Sequence, residues 1–126
     1  MECERCGGPM TRYQVPFDLR SHVETDHAAT CTRCLAGHPA EAGGEPDFST
    51  ISDEFPDGTA GTAMALALGK LDSLALNRDA IGDCIAFVSD RGADPWLVLE
   101  RLTAAGSVQP DADLERARRQ LQQLLR

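Results

Sequence analysis

Apolar residues repeat with a helical period only in the second half of the chain. From residue 59 on, Met64, Leu68, Leu71 and Ala75 recur at i, i+4, i+7 and i+11, which is one face of a helix. Leu66 and Leu74 lie off that stripe, and Lys70 and Asp72 are the only charges. A helix over Thr59–Leu76 is therefore apolar around most of its circumference and must be buried nearly all round. Ile81, Cys84, Ile85 and Val88 mark a second helix, with Asn77 placed to cap its start and Gly92 to end it. Asp94-Pro95 opens a third, an N-cap followed by proline at the first helical position, running through WLVLERLTAA to Gly106. A fourth follows Pro110, opened by Asp111 or Asp113, with Leu114, Ala117, Leu121, Leu124 and Leu125 inward. Its acids come early and Arg116, Arg118, Arg119 and Arg126 come later, which suits the helix dipole.

Before residue 59 the pattern differs. Residues 40–58, AEAGGEPDFSTISDEFPDG, combine Gly, Pro and acids and read as a linker. Phe48, Ile51 and Phe55 are spaced to pin that linker onto something apolar. In residues 1–39, MTRYQV alternates as a strand does, and Pro16 leads into a short helical stretch, PFDLRSHV. The expected fold class is α+β. A small N-terminal zinc-ribbon module with short strands spans 1–39, an acidic linker spans 40–58, and a mainly α-helical domain of about four helices spans 59–126. Four short helices make a small core, so a partner surface or self-association is expected of them.

Charge sharpens this division. The 126 residues carry a net charge of −8, and residues 40–58 hold six acids and no base. Eleven Arg stand against a single Lys, and Asp outnumbers Glu twelve to eight. Low Lys with abundant Asp fits a salt-adapted cytoplasm, where net charge maintains solubility. No run is long and uncharged enough to span a membrane, and MECERC has neither a basic n-region nor an apolar h-region, so a cytoplasmic protein is expected.

Chemistry concentrates in the cysteines. Cys3-x2-Cys6 and Cys31-x2-Cys34 are two matched pairs separated by 24 residues. Two residues between thiolates let a tight turn aim both sulfurs at one metal, and two such turns form a closed tetrahedral S4 site suited to Zn2+. Gly7 and Gly8 follow Cys6 where such a knuckle favours positive φ. In a reducing cytoplasm, paired CxxC reads as a metal site before it reads as disulfides, and a redox CxxC would need a βαβ neighbourhood that is absent. Iron in a rubredoxin-like S4 site remains chemically open. A tetrathiolate site has no open position for water, so its role is structural: binding free energy becomes folding free energy.

His22, His27 and His38 lie near the knuckles; His38, four residues after Cys34, is a possible substitute ligand, but each is expected to face solvent. Cys84 is expected to be a small buried hydrophobe, and Trp96 a packing anchor. The Arg116–Arg119 cluster reads as a solvated helix face.

The run C-x2-C-G-G, VPFDLR, CTRCL, an acidic stretch with PDFS, LGKLDSLALNR and DPWLVLERL covers nearly the whole chain. Together these segments resemble an uncharacterised family of small haloarchaeal proteins with an N-terminal zinc ribbon and a C-terminal helical domain. The resemblance implies Cys3, Cys6, Cys31 and Cys34 as metal ligands and a salt-loving archaeal cytoplasm, and it brings no activity. Cys3-Glu4-Arg5-Cys6 departs from the CPxC common in such ribbons by lacking a turn-stiffening proline, which leaves the ligands intact.

No Ser-His-Asp arrangement, phosphate loop or paired-carboxylate site stands out, so the expected function is non-enzymatic: an adaptor or regulator that contacts a protein partner, or a second copy, through the helical domain, with the first helix as the contact surface. Nucleic-acid binding through Arg5, Arg12, Arg20 and Arg33 is the disfavoured alternative, because a −2 metal–thiolate centre and the acidic linker oppose phosphate contact.

Overall fold

In the computed structural model, which describes residues 2–23, 25–41, 45–104, 108, 110 and 113–124, a three-stranded antiparallel sheet precedes four α-helices. Strand β1 (Met10–Gln14) follows its alternation: Thr11 and Tyr13 are buried, Arg12 and Gln14 exposed. It pairs with β2 (His27–Cys31) in the register Met10↔Cys31 to Gln14↔His27. Central β2, HAATC, is buried from Ala28 to Cys31, so it has no polar face to alternate with. Strand β3 (Gly37–Ala40) pairs with β2 from His27↔Ala40 to Thr30↔Gly37. It lies at the sheet edge, where Pro39 withdraws no donor from a further strand. Pro16 leads into a 3-10 turn, Phe17–His22, that buries Leu19.

The linker is pinned as its spacing anticipates. Phe48, Ile51 and Phe55 are all buried. The Phe48 ring lies 6.0 Å from Tyr13 of the sheet and 5.4 Å from Phe55. Asp47 accepts from the Ser49 N–H at the start of a 3-10 turn over Phe48–Thr50.

Helix α1 (Gly58–Leu68) is buried from Ala60 to Leu68, as its apolar circumference requires. It ends eight residues before the expected Leu76. After Gly69 and Lys70 a 3-10 turn, Leu71–Ser73, continues the apolar stripe without the helix. The stop has a packing cause: a Cβ on Gly69 would lie 2.8 Å from the Gly37 Cα, so the helix end meets β3 backbone to backbone. Ala75, expected on the buried face, is exposed as a result.

Helix α2 (Arg78–Asp90) buries Ile81, Cys84, Ile85 and Val88, and Gly92 behind it takes φ 85°. Asn77 precedes it, but its side-chain amide donates back to the Ser73 carbonyl instead of capping. Helix α3 (Pro95–Ala104) is capped by Asp94, whose Oδ1 accepts from the N–H groups of Trp96 and Leu97. The expected end at Gly106 lies outside the described residues. Helix α4 (Leu114–Leu124) is capped by Asp113, accepting from the Arg116 N–H. It buries Leu114, Ala117 and Leu121 but leaves Leu124 44% exposed. Leu125 and Asp111 lie outside the described residues.

One hydrophobic cluster runs through β1, β2, the linker and the four helices. It joins Tyr13, Val15 and Leu19 to Phe48, Ile51 and Phe55 and on to Met64, Ile81, Leu99 and Leu121. Polar contacts also tie the N-terminal part to the helices: Thr30 Oγ1 donates to the Ala65 carbonyl (3.4 Å), Lys70 Nζ to the His22 carbonyl (3.1 Å), and His22 Nε2 lies 2.7 Å from Asp83 Oδ2. Helix α1 thus finds its cover in the chain's own sheet, linker and α2, and the contact surface expected of it is not available there. No helix among the described residues is long and apolar enough to cross a membrane.

Candidate metal centre

Two knuckles of the same construction face each other. In the first, the Gly7 N–H donates to the Cys3 carbonyl (2.8 Å) and the Cys3 N–H to the Gly8 carbonyl (2.9 Å). In the second, the Leu35 N–H donates to the Cys31 carbonyl (3.1 Å) and the Cys31 N–H to the Ala36 carbonyl (3.0 Å). The first sulfur of each pair accepts from the backbone amides two and three residues on: Cys3 from Arg5 and Cys6, Cys31 from Arg33 and Cys34. These N–H groups oppose the negative charge a thiolate would carry.

The turn closes with positive φ in both knuckles, by different means. Gly7 takes φ 75° without steric cost. Its counterpart is Leu35 at φ 64°, the one positive-φ non-glycine among the described residues. That conformation costs about 1–2 kcal/mol for an L-residue. The Leu35 side chain, buried in the main core, returns roughly 1.5–3 kcal/mol by leaving water, which offsets it. Leu35 thereby fastens the second knuckle to the core. Gly8, expected to share the positive φ, serves proximity instead: a Cβ there would lie 3.2 Å from Cys31 Sγ and 3.3 Å from Cys6 Sγ.

The four sulfurs lie within 4.8 Å of one another. Cys6 and Cys31 Sγ are 3.4 Å apart, and Cys3 and Cys34 Sγ 3.7 Å. A tetrahedron with metal–sulfur bonds of about 2.3 Å has edges of about 3.8 Å, so the donor set fits one tetrahedral ion. All five cysteines are free thiols, Cys84 being the one outside the cluster. Cys3, Cys31 and Cys34 are buried, while Cys6 is exposed and leaves one side open to water.

The thiols differ in acidity. Burial raises Cys3, but the Cys6 and Arg5 amides and the side chains of His38 and Cys34 outweigh it, bringing the thiol down to about 6. Burial lifts Cys31 and Cys34 above the ordinary thiol range; neighbouring thiols push Cys34 further up, while at Cys31 the Cys6 thiol adds to the rise and Cys34 opposes it. One thiolate forms readily and the next resists standing beside it, an opposition that a divalent cation reverses.

The structure brings together all four cysteines that the spacing singles out. It also places His38 nearer than expected: half-buried, its Nε2 lies 3.6 Å from Cys3 Sγ. The signal for this was its position four residues after Cys34, on the strand that follows the knuckle. His22 belongs elsewhere, with Nε2 2.7 Å from Asp83 Oδ2 of α2. Of the ribbon arginines, Arg20 is turned toward the Val15 carbonyl (3.2 Å) and Asp26 (4.0 Å), while Arg12 and Arg33 are exposed. Trp96 is half-buried against the main core.

A family model described as "Family of unknown function (DUF6276)" matches residues 2–125. No curated protein and no solved structure matches the chain.

Proposed function

The chain belongs to this family of unknown function, and from that premise we propose that it is a zinc-binding, non-enzymatic adaptor or regulator with a structural four-cysteine site. The observation that carries the metal reading is the set of four sulfurs within 4.8 Å, two from each of two like knuckles. Cys3, Cys6, Cys31 and Cys34 hold the ion. Bound Zn2+ supplies charge neutralisation and a fourfold cross-link, with no coordination position left for water or substrate. Zinc is preferred to iron because a closed structural S4 site needs only a d10 ion.

The partner reading moves from α1 to the surface around the end of α4. Leu76 is 90% exposed and Leu124 44% exposed, and Leu124 shares a groove with Leu74 and Ala75. These leucines are apolar surface that no described residue covers, and Arg78, Gln120 and Gln123 also line the Leu124 groove. A protein partner or a second copy fits it better than nucleic acid, since the net charge is −8. The same acidic composition, with a single lysine, supports a salt-adapted cytoplasm.

Native mass spectrometry of protein purified in high salt without added metal tests both parts. One zinc per chain, released only on unfolding or chelation, is the expected result. Metal-free protein with titratable thiols would sink the zinc site, and a red, iron-dependent absorption would replace it with electron transfer. The chain count in the same spectrum separates a homodimer from a monomer that needs a different partner.

A further inference from the structure

A cavity of about 300 Å³ opens where the sheet edge meets the end of α1. The chain has one lysine and three histidines, and all four line this cavity: Lys70, His22, His27 and His38. No Asp or Glu lines it among the described residues, although the chain carries 20 acids. Much of the remaining wall is apolar, Leu66 and Val23 included. Part of its wall is main chain: Gly37 and Gly69, both in the lining, approach so closely that a Cβ on Gly37 would lie 3.2 Å from the Gly69 Cα.

The donors there are not used up. Lys70 Nζ gives one hydrogen bond, to the His22 carbonyl at 3.1 Å. An ammonium has three donors, so two remain. The His27 ring makes no hydrogen bond to a described residue, and either neutral tautomer carries one N–H. A metal ion is not the occupant this suits, since the one cluster of His, Cys, Asp or Glu with metal-ligand spacing among the described residues is the four cysteines. A volume near the lower end for ligand pockets, mostly apolar walls and a few convergent donors describe a binding site for a small molecule. His22 is engaged with Asp83 Oδ2 at 2.7 Å, so among the described lining residues Lys70 is the full positive charge with donors to spare, and it favours an anion.

We propose that this cavity binds a small organic anion, with the anionic head on Lys70 and a short apolar body against Leu66 and Val23. The cavity takes no cysteine into its lining, although His38 lines it and also reaches to 3.6 Å from Cys3 Sγ. Desolvation inside the cavity strengthens the Lys70 contact relative to the same pair in water.

The test uses 15N-labelled, as-purified protein whose metal content is measured on the same sample, so that a failed metal site and a failed pocket are read separately. Benzoate, phenyl phosphate and neutral benzamide are titrated in turn. Either anion is expected to shift the amides of Val23, Ala28, Leu66 and Lys70 saturably, at least about tenfold more tightly than benzamide. Lys70→Met is expected to erase that preference and Lys70→Arg to keep it. Val23→Trp, at a half-buried position, is expected to abolish binding of all three by filling the cavity, which covers the case in which Lys70→Met does not fold. The proposal is overturned by absence of saturable shifts at these amides with either anion, or by equal binding of benzamide. It is also overturned by anion binding that survives both Lys70→Met and Val23→Trp.

Discussion

At the scale of single residues, burial and charge place the five cysteines in two chemical classes. Cys84 is fully buried in α2; burial first, then Asp83, pushes its thiol up to about 12, with Lys70 opposing. The folded state therefore keeps a proton that the unfolded chain loses near pH 9.0. Stability from this group is intact below that pH and falls as pH rises toward about 12. The contribution of Cys84 itself, read by chemical denaturation as the difference in pH dependence between the native protein and Cys84→Ala, should fall by roughly 1 kcal/mol between about pH 9 and 10. Cys84→Ala should flatten that slope while lowering stability at neutral pH. The cluster thiols behave otherwise. Cys34→Ser should reduce bound metal from one ion to none by mass spectrometry and lower the melting temperature by about 10 °C or more, since several kcal/mol of metal-linked folding energy is lost. These four positions were legible from spacing alone, because the two-residue gap is itself the geometric requirement. His38 was legible only as a candidate four residues after Cys34; that it turns toward Cys3 and not to solvent depends on how β3 pairs with β2.

At the scale of elements, local rules decided most helix boundaries and packing decided the rest. Asp94, Asp113 and Gly92 act at the ends of their helices as their residue types suggest, since a cap is a short-range hydrogen-bond matter. The end of α1 escaped the same reasoning because its cause lies 32 residues away, at Gly37. Strands β2 and β3 were equally hidden: HAATC has no alternation because nearly all of it is buried, and GHPA carries a proline. The close fit of α1 yields a prediction that opposes helix propensity. A Cβ on Gly61 would lie 2.1 Å from the Pro56 carbonyl oxygen and 2.6 Å from the Phe48 ring. Gly61→Ala adds helix propensity worth up to about 1 kcal/mol. Overpacking against main chain and a buried ring should nevertheless make it destabilising by about 1–3 kcal/mol in a urea titration. A stabilised variant would mean that the linker does not seat against α1.

At the scale of the whole molecule, the continuous core governs what happens when a part is removed. The 1–39, 40–58 and 59–126 segments differ in composition, yet Tyr13, Phe48 and Met64 belong to one buried cluster. Deleting residues 1–39 takes Tyr13, Val15, Leu19 and Thr30 from beside α1, so the remaining chain should lose most of its helical circular dichroism. A cooperative melt in that fragment would show the helices to be self-sufficient. Stripping the metal should have a related effect at a distance: helical signal and near-ultraviolet signal from Tyr13 should fall together, in one transition at a lower temperature.

Leu35, which fastens the second knuckle to the main core, gives this coupling a further consequence for turnover. A protein so joined does not shed a metal-starved ribbon and keep a working helical remnant. If the cluster holds the metal proposed above, a fall in the supply of ion raises the population of open chains throughout, and cellular proteases act on that population. The amount of the protein in a cell should then follow metal availability after translation, without any dedicated sensor.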